Sequence, residues 1–223
     1  EMAALQGESM SGPLHIGLIP TIAPYLLPLI IPELHKLFPK LEIYLHEEQT
    51  QQLLAQLDSG KLDCAILAQV KETDPFIVVP LFEEPMKLAI YEGHSWQGRD
   101  TIEMNELSGE KLLMLEDGHC LRDQAMGFCF QAGAKEDTHF RATSLETLRN
   151  MVAAGSGITF LPALAAAHDS CRAGICYLNC IHPEPKRTVV LVYRPGSPLR
   201  GRYEQLAEAI YNLMSSYYSN KAR

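Results

Sequence analysis

Residues 41–67 read LEIYLHEEQTQQLLAQLDSGKLDCAIL and contain the pattern that predicts the fold. Leu41–His46 alternates apolar and polar side chains, which predicts a β-strand. Thr50 stands where a helix N-cap belongs, leucines follow at helical spacing, and Gly60 ends the helix. Leu62–Leu67 is a short apolar run that predicts a buried strand. Strands and helices that alternate in this order favour a parallel sheet with right-handed crossovers.

The same alternation extends toward the N-terminus. The run Leu14–Ile19 predicts another buried strand, and the apolar pattern from Ile22 to Phe38 predicts a long helix. Pro28 and Pro32 fall inside that helix and predict a kink or a restart, because proline removes a helical hydrogen bond. Residues 1–11 are expected to be a tail. The N-terminal part therefore has the order β-α-β-α-β.

A second set of alternating elements follows residue 76. We expect strands at 76–81 and 86–91, separated by a crossover at 82–85, and a capping box from Thr143 to Glu146 opening a helix. Residues 163–167 are expected to form a short helix, and residues 203–218 a longer amphipathic one. The other expected strands of this part are 111–115, 139–142, 158–161, 175–181 and 188–193.

Two such sets predict an α/β protein of two Rossmann-like lobes. The expected lobes are residues 1–82 with 190–223, and residues 83–189. Ligands of open α/β sheets bind at the carboxyl ends of the strands, so we expect a cleft there. Four positions that follow strands and open helices are expected to line it. They are Thr21, Thr50, Cys120 and either Thr143 or Ser144.

The segment Glu116–Phe130, EDGHCLRDQAMGFCF, holds two cysteines nine residues apart. Cys120 follows a Gly-His loop signal and precedes a helical pattern, which places it at a helix N-terminus. Backbone N–H groups and the helix dipole lower the pKa of a thiol there, and His119 and Arg122 are expected to add positive charge. The thiolate is the form that peroxides oxidise, so Cys120 is a candidate reactive cysteine.

Cys129 falls on the apolar stripe of the same helix and is expected to be buried. In a regular helix the Cα atoms of Cys120 and Cys129 are about 13 Å apart, whereas a disulfide needs less than about 7 Å. A disulfide between them would therefore require the helix to unwind, which couples oxidation to conformation. The spacing suits two ordinary thiols of a cytosolic domain equally well, and a metal pair less well.

Composition limits the classes of function that this chain can have. The chain has 223 residues, a net charge of −8 and six cysteines. The acidic balance indicates that any DNA binding comes from a further segment. The cysteine density, the lack of a signal peptide and the lack of an 18-residue apolar run favour a cytoplasmic protein with no membrane contact. The remaining cysteines and nearby histidines fit no zinc spacing, so no metal is expected. They are Cys171, Cys176, Cys180, His168 and His182.

Three segments give the chain a family resemblance. They are 118–129 (GHCLRDQAMGFC), 142–158 (ATSLETLRNMVAAGSGI) and 193–199 (YRPGSPL), with LDSGKLD at 57–63 typical of the wider family. The chain resembles the effector domain of LysR-type transcriptional regulators, and the cysteine segment resembles the peroxide-sensing branch. The resemblance runs from about residue 9 to residue 213.

The resemblance implies a fold of the periplasmic-binding-protein type II and a function as a sensor, not an enzyme, without a cofactor. It implies that Cys120 reacts with hydrogen peroxide and that Cys129 resolves the product as a disulfide. A peroxide pocket between the lobes is implied, with Asp123 affecting the switch. The implied pocket residues are Thr21, Thr50, His119 and Arg187.

Further partners follow from the same resemblance. Such regulators carry an N-terminal winged helix-turn-helix that is expected to be absent from this chain, form homodimers and tetramers, and recruit RNA polymerase when oxidised. Cellular thiol systems, glutaredoxin or thioredoxin, reset them. Residues 166–171 and Cys176 depart from the family pattern. Two alternatives stay open: a domain that binds a small organic effector, and a thiol peroxidase.

Overall fold

The segment that opens the chain forms a β-α-β-α-β unit with β1 at its centre. Its elements are β1 (Gly12–Leu18), α1 (Ala23–Leu37), β2 (Leu41–Glu47), α2 (Thr50–Asp58) and β3 (Cys64–Ala68). Strand β1 pairs in parallel with β2 on one side and with β3 on the other. The parallel arrangement predicted from residues 41–67 is confirmed. The computed structural model describes residues 10–166 and 171–221, apart from the side chains of residues 171 and 172.

Close packing of α2 on β1 depends on Gly17. A Cβ atom at this position would stand 2.6 Å from Leu53 Cδ2 and 2.7 Å from Leu62 Cδ1. No side chain fits at that distance, so the glycine lets the helix approach the strand. Leu53 and Leu62 are 0 % and 1 % exposed, which places this contact in the core.

The first unit comprises the chain up to Glu83 and from Thr188 onward. Strand β11 (Lys186–Tyr193) runs antiparallel to β3 and extends the first sheet. Helix α5 (Arg200–Lys221) follows it, and the rings of Tyr193 and Tyr203 pack with centroids 5.0 Å apart. The C-terminal helix is therefore held to the sheet by buried aromatic side chains.

The second unit spans Glu84–Arg187. Strand β4 (Ile77–Tyr91) leads into it from the first unit. Strands β8 (Thr159–Pro162) and β10 (Ile175–Ile181) each pair antiparallel with β4. The short strands that flank β10 are β5 (Thr101–Glu103), which is parallel to it, and β9 (Cys171–Arg172), which is antiparallel.

The second unit contains a repetition of the β-α-β-α-β layout. Strand β6 (Lys111–Leu115) leads into α3 (Cys120–Ala132), which returns through β7 (Lys135–Ala142) to α4 (Leu145–Ala153). Strand β6 pairs in parallel with β7, and Leu112 bridges in parallel to Ile158 just before β8. Helix α3 is thus the crossover between two parallel strands.

Two predictions about segments that contain prolines hold only in part. Residues 82–85 do not separate two strands, because β4 runs without a break from Ile77 to Tyr91 through Pro80 and Pro85. The chain does pass from the first unit to the second within these residues, after Glu83. Proline removes an amide donor from a strand but keeps the extended backbone. Helix α1 does not restart, since Pro28 and Pro32 lie within one helix, and the kink stays a prediction. Both prolines are solvent-exposed, so water reaches the carbonyls that they leave without an amide.

Two helix starts also differ from prediction. Thr50 is the first residue of α2, and the N-cap is Gln49. The cap of α4 is Ser144 rather than Thr143, because the Ser144 hydroxyl accepts a hydrogen bond from the Thr147 amide at 3.1 Å. A cap needs its oxygen near the second or third amide of the helix, and only the actual backbone path decides which of two neighbouring hydroxyls reaches it.

The short helix predicted at 163–167 is absent from its described part. Residues 163–166 form turns, and the Ala163 amide donates to the Pro85 carbonyl at 2.9 Å. Residue 167 lies outside the described residues. Four alanines and one leucine in a row favour a helix, but the chain has already bonded to β4 at this point, and the short run cannot overcome that contact.

The chain passes between the two units after Glu83 and after Arg187. Prediction placed these crossings after residues 82 and 189, so the positions differ by one residue and by two. In the part of the chain that the structure describes, no helix is both long and apolar enough to cross a membrane.

Candidate functional site

Cys120 is the first residue of α3. Strand β6 ends at Leu115, and the connection to the helix turns at Gly118, whose φ of +94° is a left-handed conformation that glycine accepts without strain. His119 is extended and forms the N-cap. The predicted position of Cys120 at a helix N-terminus is therefore confirmed. Its side chain is 7 % exposed, so the thiol lies just beneath the surface.

Cys129 lies nine residues further along the same helix. It is 1 % exposed, and burial together with the nearby carboxylate of Glu136 raises the pKa of its thiol to about 12. The predicted burial on the apolar stripe is confirmed. Helix α3 continues to Ala132 and ends at Gly133, which adopts a left-handed φ of +73°.

Cys120 and Cys129 both carry thiols in this structure. One unbroken helix separates them, and its rise sets their Cα atoms about 13 Å apart along the axis. Since a disulfide requires less than about 7 Å, the pair cannot be joined while α3 keeps this form. Any bond between the two sulfur atoms must be accompanied by unwinding of the helix.

Arg122 holds the first turn of α3 in place. Its guanidinium donates to both carboxylate oxygens of Glu136 in β7, at 2.7 and 3.0 Å. It also donates to Asp117 Oδ1 at 2.9 Å and to the Leu115 carbonyl at 3.3 Å. The ion pair lowers the pKa of Glu136 and raises that of Arg122, with the hydrogen bond between them as the main cause.

Two carboxylates bind Arg122 and compensate its charge. The positive charge that Arg122 was expected to add near Cys120 stays a prediction. Arg141 adds a second cation, 3.2 Å from both Glu136 and Asp117. Sequence analysis missed Glu136 and Asp117, although a charged residue on a buried helix face, which Arg122 is, indicates a nearby partner of opposite charge.

Two polar atoms among the predicted ligand residues are buried without a hydrogen-bond partner. They are His119 Nε2 and Thr50 Oγ1. Both side chains are 6 % exposed. Buried polar atoms of native proteins are nearly always satisfied, so these two atoms are exceptions, and the binding role predicted for their residues stays a prediction. Thr50 lies in the first unit and His119 in the second.

Of the other two predicted residues, Thr21 is buried and Asp123 is exposed. Thr21 is 2 % exposed and lies in the turn between β1 and α1. It follows β1 as Thr50 follows β2, so both threonines lie at the carboxyl ends of adjacent parallel strands. Asp123 is exposed on the first turn of α3, where the helix dipole favours its negative charge.

Arg187 forms a fully buried ion pair with Glu84. Its Nε and Nη2 atoms both lie 2.8 Å from Glu84 Oε2, and neither side chain is accessible to solvent. The Leu164 amide donates to the other oxygen, Oε1, at 3.0 Å. Glu84 was not recognised in the sequence. The binding role predicted for Arg187 stays a prediction.

The described side chains of the other cysteines do not gather into a metal site. Within residues 10–166 and 171–221, no three histidine, cysteine, aspartate or glutamate side chains are grouped so that they could hold a metal ion. Cys180 is buried in β10, and burial raises the pKa of its thiol to about 12. His182 is exposed, and His168 lies outside the described residues.

Residues 7–215 match the family model described as LysR substrate binding domain. The chain belongs to the LysR substrate-binding domain family. It is 76 % identical over 217 residues to the "Hydrogen peroxide-inducible genes activator" of Pectobacterium carotovorum, covering 97 % of this chain and 72 % of that one. It is 74 % identical over 218 residues to the "DNA-binding transcriptional dual regulator OxyR" of Escherichia coli K12, covering 98 % and 72 %.

Solved structures give the same assignment in both redox states. The oxidised form of OxyR matches with a TM-score of 0.88 and 73 % identity, covering 94 % of this chain and 99 % of that one. The reduced form of OxyR matches with a TM-score of 0.89 and 70 % identity over the same shares. The α/β fold predicted from the sequence and the family resemblance are confirmed.

Proposed function

We propose that this chain is the hydrogen-peroxide-sensing regulatory domain of a DNA-binding transcriptional regulator, switched by a disulfide between Cys120 and Cys129. One observation carries the proposal: both thiols lie on a single unbroken helix whose geometry forbids their bond. The disulfide therefore cannot form without a change of fold around α3. The relatives named for peroxide-inducible gene activation supply the oxidant and the output.

The chemistry proceeds in two steps. The Cys120 thiolate attacks one peroxide oxygen, the O–O bond breaks, and the products are a sulfenic acid and, after proton uptake, water. The Cys129 sulfur then attacks the Cys120 sulfur, the S–O bond breaks, and a second water leaves as the disulfide forms. Two thiols lose two electrons in total, and one peroxide gains them.

The order in which the two cysteines react follows from their positions. Cys120 lies at the N-terminus of α3, where the helix dipole favours a thiolate. The thiol of Cys129 has a pKa of about 12 and is therefore protonated at neutral pH. A protonated, buried thiol is a poor first nucleophile, so Cys129 serves as the resolving partner once α3 has opened.

We assign peroxide binding to the residues that the family resemblance implies. In the first unit they are Thr21 and Thr50, and in the second His119 and Arg187, with Asp123 affecting the switch. Support comes from the orphaned atoms His119 Nε2 and Thr50 Oγ1, because a small hydroxylic molecule donates and accepts hydrogen bonds.

The wider role is proposed on the same basis. The domain works as a sensor rather than as an enzyme, in the cytoplasm, in homodimers or tetramers. DNA is bound through an N-terminal winged helix-turn-helix, RNA polymerase is recruited by the oxidised form, and glutaredoxin or thioredoxin resets the disulfide. Steady consumption of peroxide with thioredoxin in excess would indicate a thiol peroxidase instead.

Peptide mapping tests the switch directly. The reduced chain is exposed briefly to one equivalent of hydrogen peroxide, alkylated with N-ethylmaleimide and digested with trypsin. Because trypsin cleaves after Arg122, Cys120 falls in peptide 112–122 and Cys129 in peptide 123–135. We expect the two peptides to be linked until a reductant is added.

The control is Cys180→Ser, which removes another buried thiol of the same unit whose pKa is also near 12. This variant keeps the link, whereas Cys129→Ser abolishes it. Alkylated thiols on both peptides after peroxide treatment of folded protein would refute the switch. A response to an organic effector that survives in Cys120→Ser would identify the alternative effector-binding domain.

A further inference from the structure

A disulfide exists outside helix α3. Cys176 is disulfide-bonded, whereas four other cysteines carry thiols. Those four are Cys64, Cys120, Cys129 and Cys180. The chain has six cysteines, so Cys171 is the one that remains. Neither Cys171 nor Cys176 takes part in the proposed switch.

The backbone independently places Cys171 opposite Cys176. Strands β9 and β10 are antiparallel, with Cys171 aligned to Cys176 and Arg172 aligned to Ile175. Ala173 and Gly174 join them, and their φ angles of +52° and +84° are those of a two-residue hairpin turn. Directly opposed residues of such a pair have Cα atoms about 4.5–5.5 Å apart, within the range that a disulfide spans.

We propose that Cys171 and Cys176 form a second redox couple, a cross-strand disulfide that ties the β9–β10 hairpin. A hydroperoxide oxidises one thiol to a sulfenic acid and releases water. The other sulfur displaces the hydroxyl group as a second water, so that two thiols lose the two electrons that the peroxide gains. Thiol reductants reverse the bond by exchange.

This couple differs from the Cys120–Cys129 pair in its structural consequence. Its two residues are already paired in the hairpin, so the bond forms without any change in backbone pairing. The hairpin is also held at its turn, where the Glu92 amide donates to the Gly174 carbonyl at 2.9 Å. The second couple is therefore a static cross-link, whereas the first requires α3 to unwind.

Strand β10 connects the cross-link to the sheet of the second unit. Cys176 is 3 % exposed and lies opposite Ile90 of β4. The disulfide therefore fastens β9 to a strand that is itself paired on its other side. We expect the bond to change the mobility of the hairpin and to leave the pairing of β4 with β10 as it is.

Trypsin separates the two cysteines, because it cleaves after Arg172. Cys171 falls in peptide 150–172, and Cys176 falls with Cys180 in peptide 173–186. The 223-residue chain is oxidised with hydrogen peroxide, alkylated with N-ethylmaleimide and digested. We expect peptides 150–172 and 173–186 to be linked in Cys180→Ser as in the parent chain, and to separate on reduction. Cys171→Ser and Cys176→Ser each abolish the link.

The same digest provides an internal reference. Peptides 112–122 and 123–135 report the switch, so a chain in which they are linked has been oxidised. Alkylated thiols on Cys171 and Cys176 in that chain would overturn the second couple and leave the proposed function standing. A link between 150–172 and 173–186 that persists in Cys176→Ser would also overturn it. A linked hairpin without a linked switch supports the second couple and refutes the proposed function.

Discussion

At the scale of single residues, one helix gives two cysteines opposite properties. Cys120 occupies the end of α3 where the backbone amides point outward, and Cys129 occupies its buried face. The first position stabilises a negative sulfur, and the second raises the pKa of the thiol to about 12. The difference comes from placement alone, because the two side chains are chemically identical.

Alkylation rates should reflect this difference. In reduced, folded protein at neutral pH, iodoacetamide is expected to modify Cys120 at least about tenfold faster than Cys129, because only a thiolate reacts. Timed quenching followed by quantification of peptides 112–122 and 123–135 measures both rates. In strong denaturant the two rates should become similar. Equal rates in the folded protein would contradict the assigned roles.

The Glu136 carboxylate provides a second prediction at this scale. Glu136→Gln is expected to lower the free energy of unfolding by about 2 kcal/mol at pH 7, since it breaks a nearly buried ion pair with Arg122. The expected loss is smaller than the roughly 3–5 kcal/mol of a fully buried pair because Asp117 still binds Arg122. Urea unfolding monitored by circular dichroism measures it, and Glu146→Gln, at an exposed surface position, serves as the control.

The effect of acid follows from the direction of the pKa shift. The pKa of Glu136 is lower in the folded chain than its usual value of 4.5, so its contribution is complete above that value. As pH falls through the lowered pKa, the carboxylate is protonated and the contribution disappears. The stability difference between the parent chain and Glu136→Gln should therefore shrink from pH 5 toward pH 3. A difference that grows on acidification would refute the ion pair as its source.

At the scale of elements, helix ends are decided by individual hydrogen bonds. Ser144 caps α4 through the Thr147 amide, although Thr143 fits the capping pattern in sequence. Ser144→Ala is expected to cost about 1 kcal/mol of stability, while Thr143→Ala costs little. Thermal unfolding of both variants tests the assignment. A larger loss for Thr143→Ala would show that the cap is at the neighbouring residue.

Helix α3 is the element on which the proposed function depends. It begins at the reactive thiol, ends at Gly133 and is fastened to β7 through Arg122 and Glu136. The fastening lies in its first turn, beside Cys120. Oxidation of Cys120 therefore acts at the point where the helix is held, and a bond to Cys129 requires helical hydrogen bonds between the two cysteines to break.

At the scale of the whole molecule, hydrogen exchange should show where oxidation acts. Amides 122–132 are protected in α3, and we expect them to exchange much faster in the peroxide-treated chain. Amides of β1 should keep their protection, because β1 belongs to the first unit and α3 to the second. Mass spectrometry of peptic peptides in both redox states measures this. Unchanged protection of α3 after disulfide formation would contradict unwinding.

Sequence alone determined the order of most elements and the class of fold. The alternation at 41–46 and the leucines after Thr50 predicted parallel strands around a helix, since strand and helix periods are local properties. It also placed Cys120 at a helix start and Cys129 inside. These predictions succeeded because each depends only on neighbours along one element.

Only the tertiary structure decided which side chains meet. Arg122 is bound by Glu136, 14 residues further along the chain, and by Asp117, and the sequence predicted neither partner. The pairing of Arg187 with Glu84 spans 103 residues. Charge pairs of this kind depend on how strands and helices pack, which no local pattern records. The sequence therefore determined where the two thiols lie on their helix. The packing determined which ion pairs hold that helix in place.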